Sequence, residues 1–450
     1  MQIRSRVQIF RAMTWAQRRV YYGARVERLA RLLAVALCAP LYYPLALVLA
    51  AAGYRVIRTR PGSHKRIGHL AMEMQFYVKA GLVGLRPSYK AFLLGPRRSV
   101  ANAFFRDLWR QHMTVVANPF LELVLMPLAW MKPAVYKTYP LDSELSLPDG
   151  RTVKGLPAYD EAYIGYYRKL GTRPILSIPS QFEARGWRTL TAMGLRDGGW
   201  YAALHVREGG FIAGKHLAAR NDDISDYLPA VREVTARGGL VVRLGNPTMT
   251  PLPPLPGVID YVFTPARSEW MDIFLLANCR FFFGSDSGPC MVPGLFGRPC
   301  AIANIVQMGS GFWQPYDLFT KKLIRSKSDG RLLTFPEVML GDLRDVLTPA
   351  EFDAAGVEWV HNTPTEIASL VREMLDRMDG TVEYSAEDEK LQEMFRALLM
   401  ARSTRYTFGS EARIGRDFAR MHRNLFANLQ AGAAPDSPGS SYTVSGTPLR

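Results

Sequence analysis

The chain has 450 residues, of which 48% are hydrophobic, 11% aromatic and 21% charged. That is room for two domains of ordinary size with a sizeable core, and it excludes a disordered or fibrous protein. The formal net charge of +16 invites a nucleic-acid reading, but residues 1–66 hold thirteen Lys/Arg against one acid, Glu27, and so supply +12 of it; the remainder is nearly balanced.

This basic excess brackets an apolar run. Between Arg31 and Arg55 lies LLAVALCAPLYYPLALVLAAAGY, twenty-three residues without a charge, long enough to cross a hydrocarbon layer of about 30 Å as a helix. Cations at such a place are attracted to anionic headgroups by about 1 kcal/mol each, which favours a membrane surface over nucleic acid. Both flanks are basic, and Pro40 and Pro44 interrupt the run. A shallow re-entrant hairpin with both ends in the cytoplasm therefore fits at least as well as a straight span. A buried helix of the globular fold is the plainer alternative, and a cleaved signal peptide fits poorly. The four cysteines, Cys38, Cys279, Cys290 and Cys300, show no CxxC spacing; they read as free thiols in a reducing compartment, with no metal site.

Beyond the run, YRVIRTR (Tyr54 to Arg60) reads as a strand, Leu70 to Val83 as a helix, and YKAFLLG, VANAFFRDLWRQH and MTVVAN as strand, helix and strand. Helical candidates follow near Glu161 to Leu170 and Phe182 to Met193. A second alternating set starts at Trp200 to Glu208. It continues with a helix over Ile224 to Ala236, the strand Leu240 to Asn246, the short strand VIDYVF, a helix over Ser268 to Leu276, the strand CRFFFG, a helix after Ser287 and the strand PCAIAN. From Thr363 the text is helical, and the Gly/Pro/Ser-rich end reads as a disordered tail. The expected fold is α/β, with two Rossmann-like domains facing a central cleft. Residues 1–53 form the membrane-associated segment, 54–175 an acceptor domain, 176–385 a donor domain, 386–430 C-terminal helices and 431–450 the tail.

Ligands of open parallel sheets bind at the carboxyl ends of the strands, and four loops of the second set collect there. In HVREGGF, Arg207 presents paired donors to a phosphate or forms a solvated pair with Glu208. In RNDDISDY, Asp222 or Asp223 caps the following helix, leaving Arg220 and Asn221 free for a ligand. In VVRLGN, Arg243 ends an apolar strand and Gly245 permits close backbone approach. In FFFGSDSGPC, Gly284, Ser285, Asp286, Ser287 and Gly288 form either a tight turn or a cradle of amides for a diphosphate. In the first set, RIGHLAMEM puts His69 at the mouth of a βα loop with Glu73 one helical turn on, as a general base or as a surface histidine. The chain contains no GxSxG, GxxxxGK[ST] or HExxH, and no dinucleotide GxGxxG followed by an acid.

Taken in order, RIGHLAMEMQFYV, ALHVREGGF, RNDDISDYLPAV, GGLVVRLGN, GVIDYV and FFFGSDSGPCMVPGLFGRP resemble a family of bacterial glycosyltransferases of GT-B fold, distantly similar to O-fucosyltransferases and heptosyltransferases. The resemblance covers about Arg66 to Asn304. The fucosyltransferase loop His-x-Arg-Arg-Gly-Asp is matched at His205 and Arg207, with Glu208 in place of the second Arg. The heptosyltransferase Asp-Ser-Gly-Pro is matched at Asp286 to Pro289. Where heptosyltransferases often carry a base in Ile-Gly-Asp, His69 stands here.

The resemblance implies transfer of a sugar from a nucleotide-sugar to a glycan, lipid-linked or protein acceptor, in bacterial surface polysaccharide or glycoconjugate synthesis, at the cytoplasmic face of the inner membrane. It implies no metal and no cofactor beyond the donor substrate, while the basic flanks of the apolar run point to an anionic inner-leaflet membrane, and not nucleic acid, as partner. Arg207, Arg243 and the amides of Ser287 and Gly288 are expected to bear on the diphosphate, and His69, with Glu73 and Glu208 as rivals, to take the acceptor proton. A sugar-nucleotide epimerase or hydrolase of the same fold, or a non-catalytic membrane-attached scaffold, are the alternatives.

Overall fold

In the computed structural model, residues 33, 36–59, 63–94, 100–209, 219–312, 314–346, 348–401 and 412–426 are described. The tail 431–450, Gly210 and Phe211 of the HVREGGF loop, and the basic stretch before residue 33 lie outside them. The chain divides into two compact units: 1–58, 88–98 and 113–136 make the first, and 59–87, 99–112 and 137–450 the second. The strands expected within 54–175 fall in the first unit. The Ile67–Leu82 helix, between two of those strands in sequence, belongs to the second.

The first unit is built on a four-stranded sheet of β1 (Tyr54–Arg58), β2 (Lys90–Leu94), β3 (Thr114–Val116) and β4 (Val135–Lys137), in the order β3-β2-β1-β4, with β1, β2 and β3 parallel. A helix at 36–51 runs through Pro40 and Pro44 without a break. Its Ala46 packs with Val56, Leu128, Ala129, Met131 and Ala134 in a small apolar cluster. Among the described residues no helix is long and apolar enough to cross a membrane; the part of the apolar run that is described is this single helix, which ends at the Gly53 turn.

In the second unit, β5 (Glu144–Ser146) and β6 (Thr152–Lys154) form an antiparallel ladder, and a seven-stranded sheet carries the rest. Its strands are β7 (Tyr201–His205), β8 (Leu240–Arg243), β9 (Val258–Ile259), β10 (Phe281–Ser285), β11 (Cys300–Ile305), β12 (Leu318–Lys321) and, after the separate antiparallel pair of β13 (Leu323–Ser326) and β14 (Val357–Val360), β15 (Arg413–Ile414). Every neighbouring pair in the seven is parallel, in the order β15-β12-β11-β10-β7-β8-β9. β7, β10, β11 and β12 are buried along their whole length, which explains why Phe281 to Phe283 read as an unbroken apolar run: a parallel strand covered on both faces has no solvent side. Full burial of each of these phenylalanines contributes about 1.5–3 kcal/mol. Helices Leu228–Ala236 and Pro364–Asp379 cover one face through Ala230, Val231, Val234, Ile367, Leu370 and Val371.

The chain leaves β7 toward β8 and β9 on one side, then returns to place β10, β11 and β12 on the other. Between β7 and β10 the direction of winding reverses, and a crevice opens at such a switch point. The backbone conformation there leaves no room for a side chain. Gly284 lies opposite His205 with φ +152°, and a Cβ at that position would overlap the His205 carbonyl. His205 is itself buried, with Nδ1 2.9 Å from Ser287 Oγ. Burial, reinforced by the charges of Arg207 and Arg243, pushes its pKa down to about 4.

Several sequence expectations change here. The helix after Ser287 is replaced by two 3-10 turns, Gly288–Met291 and Pro293–Phe296, each with a proline in its first positions, the second closed by Gly297 in the left-handed region. Pro293 removes a donor and Gly297 reverses the chain, so no regular helix propagates. VIDYVF keeps only the two-residue strand Val258–Ile259 before a 3-10 turn. Within the C-terminal segment expected to be helical, Arg413–Ile414 pairs with β12 as the edge strand of the large sheet, a tertiary pairing that two residues cannot announce in sequence.

Two outcomes follow from the switch-point geometry. Gly284→Ala is expected to destabilise the protein by roughly 3 kcal/mol or more in denaturant unfolding, whereas Gly330→Ala, at φ +72° in open space, costs about 1–2 kcal/mol. Because the native state keeps His205 neutral down to about pH 4 while the unfolded chain protonates near the ordinary histidine value, stability falls as pH is lowered through that interval. His205→Gln should flatten this acid limb in a pH series of unfolding curves.

Candidate functional site

A cavity of about 430 Å³ opens at this switch point, entirely within the second unit. It is bordered by the carboxyl ends of β7, β8, β10 and β11 and, opposite them, by the start of the Ile67–Leu82 helix. The two borders touch: a Cβ on Gly68 would stand 2.9 Å from the Gly288 Cα. The absence of side chains at both glycines lets the first βα loop and the Asp286–Gly288 turn meet backbone to backbone.

Of the residues singled out in sequence, His69, His205, Arg207, Glu208, Arg220, Gly245, Asp286, Ser287 and Gly288 line the cavity. Glu73 stands behind His69. It is fully buried, its Oε1 lies 3.2 Å from His69 Nδ1, and Thr138 Oγ1 donates to its Oε2 at 3.4 Å. With Glu73 ionised, Nδ1 carries the proton and donates, which leaves Nε2 as the histidine's acceptor. The i, i+4 spacing on one helix therefore builds a histidine–carboxylate dyad whose histidine faces the cavity.

On the sheet side, Arg207 is held by its own backbone and by a neighbour. Its amide donates to Ser285 Oγ at 2.8 Å, and its Nε donates to Asn221 Oδ1 at 3.3 Å. Ser285 and Asn221 thus position Arg207 and do not themselves line the cavity. Burial, with Arg220 and Arg66 close by, lowers the Arg207 pKa, the mark of a crowded cationic site that favours an anion. Arg220 Nε lies 3.5 Å from Asp286 Oδ2. Asp223 is the residue that caps, accepting from the Ser225 amide at 2.8 Å. Asp222 instead pairs with the buried Lys322 at 2.9 Å and accepts from Tyr227.

Arg243 is drawn away from the cavity. It is fully buried, donates to Glu208 Oε1 at 2.5 Å and to the Thr250 carbonyl at 2.8 Å, and pairs with Asp260 at 3.2 Å. Two carboxylates already neutralise it, so its role is to fix the β8 loop and to hold Glu208. Glu208 also accepts from the Thr250 amide at 2.9 Å. Both carboxylate oxygens of Glu208 are thereby engaged.

Further residues border the cavity that the sequence reading gave no role. Arg66 and Arg267 add two cations, and Asp272 adds a carboxyl whose pKa burial raises to about 6. Asn102 caps the Ala103–Leu108 helix through the Phe105 amide and donates to the Glu269 carbonyl at 2.8 Å. The Gln307 and Ser310 carbonyls are tied by the buried Lys321 ammonium. Arg66 is the first residue of the RIGHLAMEM stretch itself; Arg267 and Asp272 arrive through tertiary packing alone. Among the described residues, no cluster of three or more His, Cys, Asp or Glu is arranged to hold a metal ion.

No family model matches the sequence, and no curated protein matches it significantly. Among solved structures it is similar to a family 9 glycosyl transferase of Veillonella parvula, with 16% identity over 52% of this chain and 61% of that one, at a TM-score of 0.26. This chain thus spans less than two thirds of that protein's length. It is also similar to TibC, a bacterial iron-containing dodecameric glycosyltransferase of enterotoxigenic E. coli (12% identity, 73% and 76% of the two chains, TM-score 0.38), and to the E. coli heptosyltransferase WaaC with ADP (11%, 60% and 90%, 0.33).

Proposed function

We propose that this protein is a glycosyltransferase that moves a sugar from a nucleoside diphosphate to a hydroxyl of a glycan or lipid-linked acceptor. The observation that carries the reading is the convergence, in one cavity, of the His69–Glu73 dyad with Arg66, Arg207, Arg220 and Arg267. Asp286 partly balances Arg220, and Glu208 is committed to Arg243. The cavity keeps an excess of positive charge suited to a diphosphate.

In this reading the acceptor oxygen attacks the anomeric carbon as the bond from that carbon to the diphosphate oxygen breaks, with its electron pair leaving on the diphosphate. Arg207 and Arg220, with the backbone of Ser287 and Gly288, stabilise the charge that develops there. Pre-positioned donors of this kind are worth about 2.7–4 kcal/mol each. His69 Nε2 takes the acceptor proton, and Glu73 stabilises the imidazolium that forms. The arginines carry the charge that a divalent metal balances in other transferases.

The reading predicts that Arg207→Ala lowers kcat/KM for release of nucleoside diphosphate by about 10²–10³ while the thermal melt stays that of wild type. An unchanged rate would remove Arg207 from the site. For the dyad, His69→Ala is expected to reduce kcat by about 10²–10⁴ with little change in donor binding, and Glu73→Gln, which keeps the hydrogen bond but removes the charge, by less. If Glu73→Gln were inactive and His69→Ala fully active, the proton assignment would be reversed.

A further inference from the structure

Among its described residues, the first unit exposes an apolar surface. The helix at 36–51 has two faces. Ala39, Tyr42, Ala46 and Leu49 pack into the unit's core cluster, while Leu37, Leu41, Leu45 and Val48, spaced at helical repeats of four, four and three, form a second stripe. Leu37 is 83% exposed and Leu41 76%. The Pro119–Leu125 helix repeats the arrangement. None of its residues is buried, Phe120 is 71% and Leu123 66% exposed, and Leu125 reaches into the same cluster that receives the 36–51 helix. Isolated exposed leucines need no explanation, but two helices that share one core cluster and both leave apolar residues in water mark an interaction surface.

The composition of the first unit adds a strong charge to this surface. By the unit boundaries, the first unit contains fourteen Lys/Arg and two acids, Glu27 and Glu122, so it holds +12 of the protein's +16, whereas the much longer second unit has forty-two Lys/Arg and thirty-eight acids. Described cations sit over aromatic rings: the Arg55 guanidinium lies 4.2 Å from the centre of the Tyr89 ring, and that of Arg58 5.1 Å from Trp130. Apolar helix faces joined to a strongly basic, nearly acid-free unit match the two layers of an anionic membrane surface, acyl chains and headgroups.

We infer that the 36–51 and Pro119–Leu125 helices together form a monotopic docking face that inserts their exposed leucines and Phe120 into the interface of an anionic bilayer without crossing it. This inference rests on the composition and surface of the first unit and stands apart from the glycosyltransferase reading.

The test is flotation of the full chain with vesicles of mixed phosphatidylcholine and phosphatidylglycerol, and with phosphatidylcholine alone. Binding is expected to the anionic vesicles and to weaken with added salt. Leu37→Ser with Leu41→Ser, or Phe120→Ser with Leu123→Ser, should each weaken it by at least about tenfold with an unchanged circular dichroism melt. An environment-sensitive fluorophore on Leu41→Cys provides a readout independent of those variants, and should shift to the blue when anionic vesicles are added. Failure of the wild-type chain to float, wild-type binding by both double variants, an unshifted fluorophore, or self-association in solution that the same substitutions abolish without any vesicle binding would each overturn the inference.

Discussion

The close approach of β7 and β10 at the reversal of the sheet is the constraint on which the site depends. Gly284 faces the His205 carbonyl with no room for a side chain, and this contact sets the positions of everything that follows in both strands. From it, Ser285 Oγ reaches the Arg207 amide and Ser287 Oγ reaches His205 Nδ1, so the two loops are laced together before any ligand arrives. A buried histidine kept neutral serves this lacing: a charged imidazole beside Arg207 and Arg243 would add a third cation to a desolvated corner. The same logic explains why Gly68 and Gly288 stand opposite one another, since only glycines allow the Ile67–Leu82 helix to approach the turn so closely.

Electrostatics then divides the arginines of this region into two sets. Arg243 is neutralised by Glu208 and Asp260 in the interior, where removing a partner would leave a buried charge uncompensated. Arg66, Arg207, Arg220 and Arg267 border open space and meet few carboxylates among the described residues. The first set builds the loop and the second gives the cavity its sign. Glu208 belongs with the first set despite lining the cavity, because the Thr250 amide and Arg243 both engage its carboxylate.

The sequence displayed the local units well and their long-range arrangement poorly. The apolar runs at Phe281 to Phe283 and within PCAIAN were legible as buried strands, the small residues Gly284 to Gly288 as a turn leading out of the first, and the i, i+4 pair His69 and Glu73 as one helical face. Arg243 illustrates what was not. At the end of an apolar strand it looked like Arg207, and only the tertiary placement of Asp260 and Glu208 distinguishes a structural guanidinium from one that borders the cavity. Arg267 and Asp272 belong to the same category, being brought to the cavity by the packing of the Glu269–Asn278 helix. The helix expected after Ser287 failed for a local reason that was visible in the text, Pro289 and Pro293 with Gly294 and Gly297, which favour short turns over propagation.

The central claim is that this cavity receives a nucleoside diphosphate. Calorimetric titration of the purified full chain with ADP, GDP, UDP, CDP and dTDP tests it most directly, with Arg207→Ala and Arg220→Ala proteins titrated alongside. The account predicts saturable binding of at least one of the five, weakened by each substitution; absence of binding by all five, or binding indifferent to both substitutions, would contradict it.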